Sequence, residues 1–179
     1  MRIVSSQYDP LGVAACLIII LKVQLKELYK LGLDWDQPLD GALRSMWVGL
    51  LEMLVSTGGI VFRRATKPEN TVGRCVLVCF FDGSDLAFGM VIYIRWDLDD
   101  GSVWVSIICA KCKVAALFGT STPRVELEGS TLMTRVVVRV VRALVEDPPA
   151  RVYFLGDSET VLACRERVHQ RPQGGILAL

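Results

Sequence analysis

Apolar residues dominate 11–31 until Gly32 interrupts them, which predicts a first helix over 11–31. "LDWDQP" then reads as a turn, and Pro38 suits the first turn of a second helix, where its missing N–H is not needed. Leu43, Trp47, Leu50, Leu51 and Leu54 give that second helix an apolar stripe, and Gly58-Gly59 ends it. The next stretch, "RRATKPENTVGR" at 63–74, is polar, carries Pro and Gly, lacks periodicity and reads as a linker.

From residue 75 the pattern changes. Runs of Val, Ile, Phe, Tyr and Trp at 75–81, 87–96 and 103–110 predict three strands, the last two joined by a tight turn at Asp100-Gly101. The three aspartates of "DLDDGS" lack the alternation and closing Glu of a calcium loop, so a hairpin is the better reading. A helix over 123–145 follows, with Pro123 in its first turn. "EDPPA" stops it, "RVYFL" at 151–155 makes a fourth strand, and another helix is expected to start near Ser158. Three strands in a meander and a fourth reached through a helix predict an α/β fold: a mixed sheet with one parallel strand, preceded by a helical segment.

With 20 Lys+Arg against 19 Asp+Glu the net charge is +1, so bulk charge names no partner; local clustering must do so. A hydrophobic content of 52% is ample for a core. "LGVAACLIIIL" falls short of the roughly 20 apolar residues of a membrane span. "MRIVSSQYDP" does not look like a secretory leader, so the expectation is an intracellular chain, neither secreted nor membrane-bound. Cys109-Ala-Lys-Cys112 has metal-like spacing, but no second pair follows and His169 is the sole histidine, so reduced buried thiols are expected.

The chemistry lies in the acids. Asp82 ends an apolar strand and Asp157 closely follows another. At roughly 100° per residue, Glu126 falls within about 40° of Met133, Val137, Val140 and Leu144, on the core face of the helix. Glu128 falls on the opposite side, with Arg135, Arg139 and Arg142. A carboxylate turned toward a core needs a partner, either an Arg or backbone N–H groups, or a cation shared with Asp82 and Asp157. Three hard oxygen donors without His or Cys beside them would suit Mg2+ or Mn2+. The Arg stripe reads either as the wet face of an amphipathic helix or as an approach to a phosphate backbone.

Five ordered blocks, "VSSQYDPLG", "LGLDWDQPL", "CFFDGSDLAFGMVIY", "AKCKVA…TPRVELEG" and "VYFLGDSETVLA", resemble BEL/Pao-type LTR retrotransposon polyproteins. The resembling segment follows the reverse transcriptase and contains the RNase H-like domain; the region is also labelled Pao retrotransposon peptidase. The resemblance implies an RNase H-like sheet over 75–168, after a helical segment at 1–62 and a linker at 63–74, with a divergent tail at 169–179. It implies Asp82, Glu126 and Asp157 as catalytic acids and metal ligands, acting with two magnesium ions on the RNA strand of an RNA–DNA hybrid. The remaining polyprotein, reverse transcriptase included, would be its partner.

The pattern departs at the C-terminus. The family fold continues with a fifth strand and a helix bringing a fourth acid, whereas here "RERVHQRPQGGILAL" follows and only Glu159 and Glu166 remain beyond Asp157, both at unmatched positions. A truncated domain, a piece of a longer polyprotein and a non-catalytic remnant are the alternatives this raises. Asp82-Gly83-Ser84 also loosely resembles the Asp-Thr/Ser-Gly of aspartic peptidases, whose chemistry needs two aspartates sharing a proton, so a second copy of the chain would have to supply the partner.

Overall fold

The structure is a computed structural model and describes residues 4, 7–34, 36–59, 61, 65–116 and 121–157. Two helices come first, α1 (Ala15–Lys30) and α2 (Gly41–Ser56), the latter running into a short 3-10 turn at Thr57–Gly59. Strands β1 (Thr71–Gly83), β2 (Ala87–Leu98) and β3 (Val103–Val114) form an antiparallel meander. Helix α3 (Thr122–Ala143) then leads to β4 (Arg151–Leu155), which lies parallel to β1. The sheet order is β3-β2-β1-β4, the mixed α/β arrangement expected from the hydrophobic pattern.

Side-chain alternation builds the main core. Every second residue of β2 from Phe88 to Trp96 is buried, and Cys75, Leu77 and Cys79 of β1 share that face. Met133, Val136 and Val137 of α3 close over them. Leu77, Ile92, Ile94 and Met133 are sealed from solvent, and each contributes about 1.5–3 kcal/mol by burial. The opposite face of the sheet is less covered: Phe80, Val105, Tyr153 and Leu155 remain exposed.

A second, smaller core joins α1 to α2 through Ile18, Leu21, Leu28, Trp47 and Leu54. Of this pair, α1 docks on the edge strand β3. The amide of Ala110 donates to the Leu11 carbonyl at 2.6 Å, and Lys26 Nζ donates to the carbonyls of Ala115 and Ala116. Gly12 makes this approach possible. Its φ is +76°, and a Cβ built there would stand 1.8 Å from the Ala110 carbonyl oxygen.

Several expected boundaries move. The first helix begins at Ala15 rather than residue 11, because Gly12 turns the chain and Leu11 pairs with β3. Both oxygens of Asp9 accept backbone N–H groups, from Val13 and Ala14 at 2.9 Å, so the cap comes from outside the helix. Pro38 lies before the second helix, whose N-cap is Asp40. The expected linker at 63–74 is partly strand: β1 starts at Thr71, paired with Leu98, with an irregularity before Val76. The helix expected near Ser158, the rest of the 75–168 domain and the 169–179 tail lie outside the described residues.

Candidate active site

Asp82 is the penultimate residue of β1. Asp157 lies two residues beyond β4. Because β1 and β4 run parallel, with Phe80 paired to Leu155, each aspartate sits two residues past the last paired couple. Adjacent strands lie about 4.8 Å apart, so the backbone register carries the two acids to the same end of the sheet. Both are exposed, and both line one cleft of about 810 Å³. The same cleft is walled by Ala15, Cys16 and Ile19 of α1 and by Lys111 of β3.

Glu126 reaches this end from above. It lies in the first turns of α3 and is half-buried. A Cβ placed on Gly83 would stand 3.0 Å from the Glu126 backbone nitrogen and 3.1 Å from its Cα. A Cβ on Gly129, one turn further along α3, would stand 3.3 Å from the Asp82 carbonyl oxygen. Glycine thus lets the start of α3 lie directly on the end of β1. On the other side, a Cβ on Gly156 would collide with the Phe81 ring at 2.6 Å, so β4's exit is also pressed against β1. The backbones of all three acids are brought to one place.

Their side chains are not closed into a ligand set. Asp82 Oδ1 accepts the backbone N–H of the next residue, Gly83, at 2.6 Å. Among the described residues, no three His, Cys, Asp or Glu side chains are grouped so as to hold a metal ion. The donor chemistry still suits a hard cation, since Asp82 and Asp157 offer only carboxylate oxygens to the cleft and Glu126 would add a third. Glu128, placed on the opposite side by helical phase, is half-buried and pairs with Arg124 at 3.6 Å.

Two thiols stand closer to the acids than the sequence spacing suggested. Cys16 and Cys112 line the same cleft. Cys112 Sγ donates to the Ala15 carbonyl at 3.1 Å, and burial pushes its pKa upward. A thiol held protonated is a poor metal ligand, because coordination needs the thiolate. Cys112 therefore reads as packing between β3 and α1. Ninety-seven residues separate it from Ala15, which is why local spacing gave no hint of the contact. The glycines were also missed as site-builders, although Asp-Gly at 82–83 and Gly-Asp at 156–157 were a visible signal. Glu159 and Glu166 lie outside the described residues.

The family model described as Pao retrotransposon-like RNaseH-like domain matches residues 1–158. No curated protein and no solved structure matches the chain. The mixed sheet, with three antiparallel strands and a parallel fourth, agrees with the RNase H-like fold named by that match. No helix among the described residues is long and apolar enough to cross a membrane.

Proposed function

We propose, because this chain belongs to the Pao retrotransposon-like RNaseH-like domain family, that it cleaves the RNA strand of an RNA–DNA hybrid. Asp82, Glu126 and Asp157 would hold Mg2+ or Mn2+, which supplies an activated water and stabilises the leaving 3′ oxygen. The observation that carries this reading is the convergence of three distant backbone segments: Asp82 and Asp157 on neighbouring strand ends, and Glu126 against Gly83. Asp82 would exchange its Gly83 N–H contact for the cation, a side-chain rotation that leaves β1 in place. Phe81, Gly83 and Gly156 act through packing by fixing the spacing of these segments. Other parts of the retrotransposon polyprotein, the reverse transcriptase among them, would deliver the hybrid.

The test is cleavage of a labelled RNA–DNA hybrid in Mg2+ by the chain and by Asp82→Asn and Asp157→Asn, with Mg2+ binding followed by calorimetry. Cleavage and at least one bound ion are expected in the unsubstituted chain, and loss of cleavage in both variants. Equal cleavage in all three proteins would dismiss these acids as catalytic. A chain that binds no Mg2+ and cleaves nothing would be a non-catalytic remnant. Proteolysis blocked by a pepstatin-like inhibitor and lost in Asp82→Asn would favour the peptidase instead.

A further inference from the structure

We infer that the outer edge of β3, from Val103 to Ile107, joins two copies of this chain by antiparallel strand pairing. The inference goes beyond the proposed cleavage and does not depend on it. β3 is an edge strand, paired with β2 on one side only. Its backbone phase follows from the hairpin before it. The Leu98 amide donates to the Ser102 carbonyl at 3.0 Å, so these two form a hydrogen-bonded pair. In an antiparallel ladder such pairs alternate with pairs whose N–H and C=O groups point away from each other. Trp104 and Ser106, opposite Trp96 and Ile94, therefore bond to β2, and the amides of Val103, Val105 and Ile107 point outward. The carbonyls of Val103 and Val105 point the same way. Carried past the extra residue Ile108, this phase also turns the Ala110 amide outward, where it donates to Leu11.

Among the described residues, no backbone group pairs with the outward groups between Val103 and Ile107. Such an unpaired edge is a template for another strand. Its ends decide which strand. A straight foreign strand would run into Leu11, which occupies the edge at Ala110. A second copy would not. Its own β3 begins at Val103, set opposite Ile107, and the chain before it leaves the edge at Gly101, where φ is +80°.

Donors and acceptors match about a twofold axis through Val105. Each Val105 amide donates to the other copy's Val105 carbonyl, and each Ile107 amide to the other copy's Val103 carbonyl. Side chains match too. Val105 is 56% exposed and would meet its own mate, while exposed Val103 would meet Ile107, and β-branched cross-strand pairs are favourable. Charge selects the same orientation. Asp99 and Asp100 are exposed at one end of β3, and Lys111 and Lys113 at the other. Antiparallel pairing about Val105 sets Asp99 of each copy level with Lys111 of the other, whereas a parallel copy would set like charges side by side. A net charge of only +1 adds little general repulsion between copies.

The product is one continuous sheet with the acids toward its outer strands. Five strand spacings of about 4.8 Å separate the two β1 strands, so the two Asp82 residues stand at least about 24 Å apart. This dimer leaves both clefts open and supplies no pair of aspartates sharing a proton.

The experiment is sedimentation velocity of the full chain from about 1 to about 100 µM, beside Val105→Lys, which faces two like charges across the axis. The parent is expected to pass from monomer to dimer over this range, and Val105→Lys to associate at least about tenfold more weakly. Because Val105 is exposed and its N–H and C=O lie outside the β2 ladder, the variant should melt with the parent at the lowest concentration. Register is read by cross-linking with oxidised glutathione in a Cys16→Ser background, that background alone being the blank. Val105→Cys should cross-link to itself, since hydrogen-bonded partners have Cα atoms about 5.5 Å apart, within reach of a disulfide. Val103→Cys should not, because its own mate lies four residues, about 13 Å, along the strand. A parent that stays monomeric throughout, a Val105→Lys chain that associates like the parent, or a Val103→Cys chain that cross-links as fast as Val105→Cys would each overturn the pairing.

Discussion

Gly83→Ala probes the contact on which the candidate site depends. Gly83 is outside the left-handed region, so alanine there meets no backbone strain. By that criterion alone the substitution should stabilise the chain by about 0.4–1 kcal/mol, through the unfolded state. Packing opposes it. The new methyl would lie 3.0 Å from Glu126 N, 3.1 Å from Glu126 Cα and 3.1 Å from the Val125 carbonyl carbon. These are helix backbone atoms that cannot rotate away, and comfortable carbon contacts begin near about 3.5 Å. The first turns of α3 must retreat by about half an ångström, an overpacking cost of about 1–3 kcal/mol. Packing wins, leaving a net loss of about 1–2 kcal/mol. Thermal unfolding should fall by about 2–8 °C. Because a 1 Å misplacement costs about a hundredfold in rate, half of that should slow single-turnover hybrid cleavage about tenfold. Gly129→Ala, with its nearest contact at 3.3 Å and a helix-propensity gain of about 1 kcal/mol, should melt near the unsubstituted chain. If Gly83→Ala melts as high as the parent and cleaves as fast, α3 does not press on the end of β1, and the claimed convergence fails.

Gly12→Ala should detach the N-terminal segment from β3, since the Cβ would lie 1.8 Å from the Ala110 carbonyl and φ is +76°. Hydrogen exchange at the Ala110 amide should accelerate while Ile92 stays protected; an unchanged Ala110 would refute the docking. Met133→Ala should cost about 2–5 kcal/mol in denaturant unfolding, because Met133 is fully buried between α3 and the sheet. A loss under 1 kcal/mol would mean that the core closes elsewhere. The Cys79 thiol is pushed up to about 11, by burial first and by the proximity of Cys109 second. The folded state holds that proton more tightly than the unfolded chain, so this contribution to stability is complete below pH 9 and is lost as pH rises toward 11. Cys79→Ser should flatten the alkaline fall; a profile as steep as the parent's would assign it to other groups.

The sheet was legible wherever one face decides everything. In β2 the alternation from Phe88 to Trp96 is unbroken, so local pattern and tertiary burial agree. β4 was equally clear, because "EDPPA" and Gly156 bracket five residues. Legibility failed where distant backbone sets the geometry. Thr71–Arg74 reads as loop, yet it enters β1 because Thr71 faces Leu98 and Asn70 bonds Asp99, Nδ2 to Oδ1 at 2.9 Å. Leu11–Ala14 has apolar content fit for a helix, but the Ala110 amide captures the Leu11 carbonyl first. The acids were legible one at a time, from strand ends and helical phase. Their approach was not, because it depends on what glycine hydrogens at 83, 129 and 156 leave room for.

Charge separation follows from the same geometry and gives a last prediction. A strand can end on a carboxylate but cannot bury one, so Asp82 and Asp157 stand where β1 and β4 run out into solvent. The cations collect instead on an edge strand and a helix flank, where long side chains remain solvated without breaking the core. Lys111 and Lys113 of β3 and Arg135, Arg139 and Arg142 of α3 are exposed, apart from the two aspartates. With EDTA present, a hybrid phosphate beside the end of β1 would feel repulsion from Asp82 and Asp157. One carboxylate about 4–8 Å from a phosphate in water costs about 0.5–1 kcal/mol. Asp82→Asn should therefore bind a hybrid about two- to fivefold more tightly in EDTA at low salt, while losing cleavage in Mg2+. If its affinity in EDTA falls instead, the nucleic acid does not pass the end of β1.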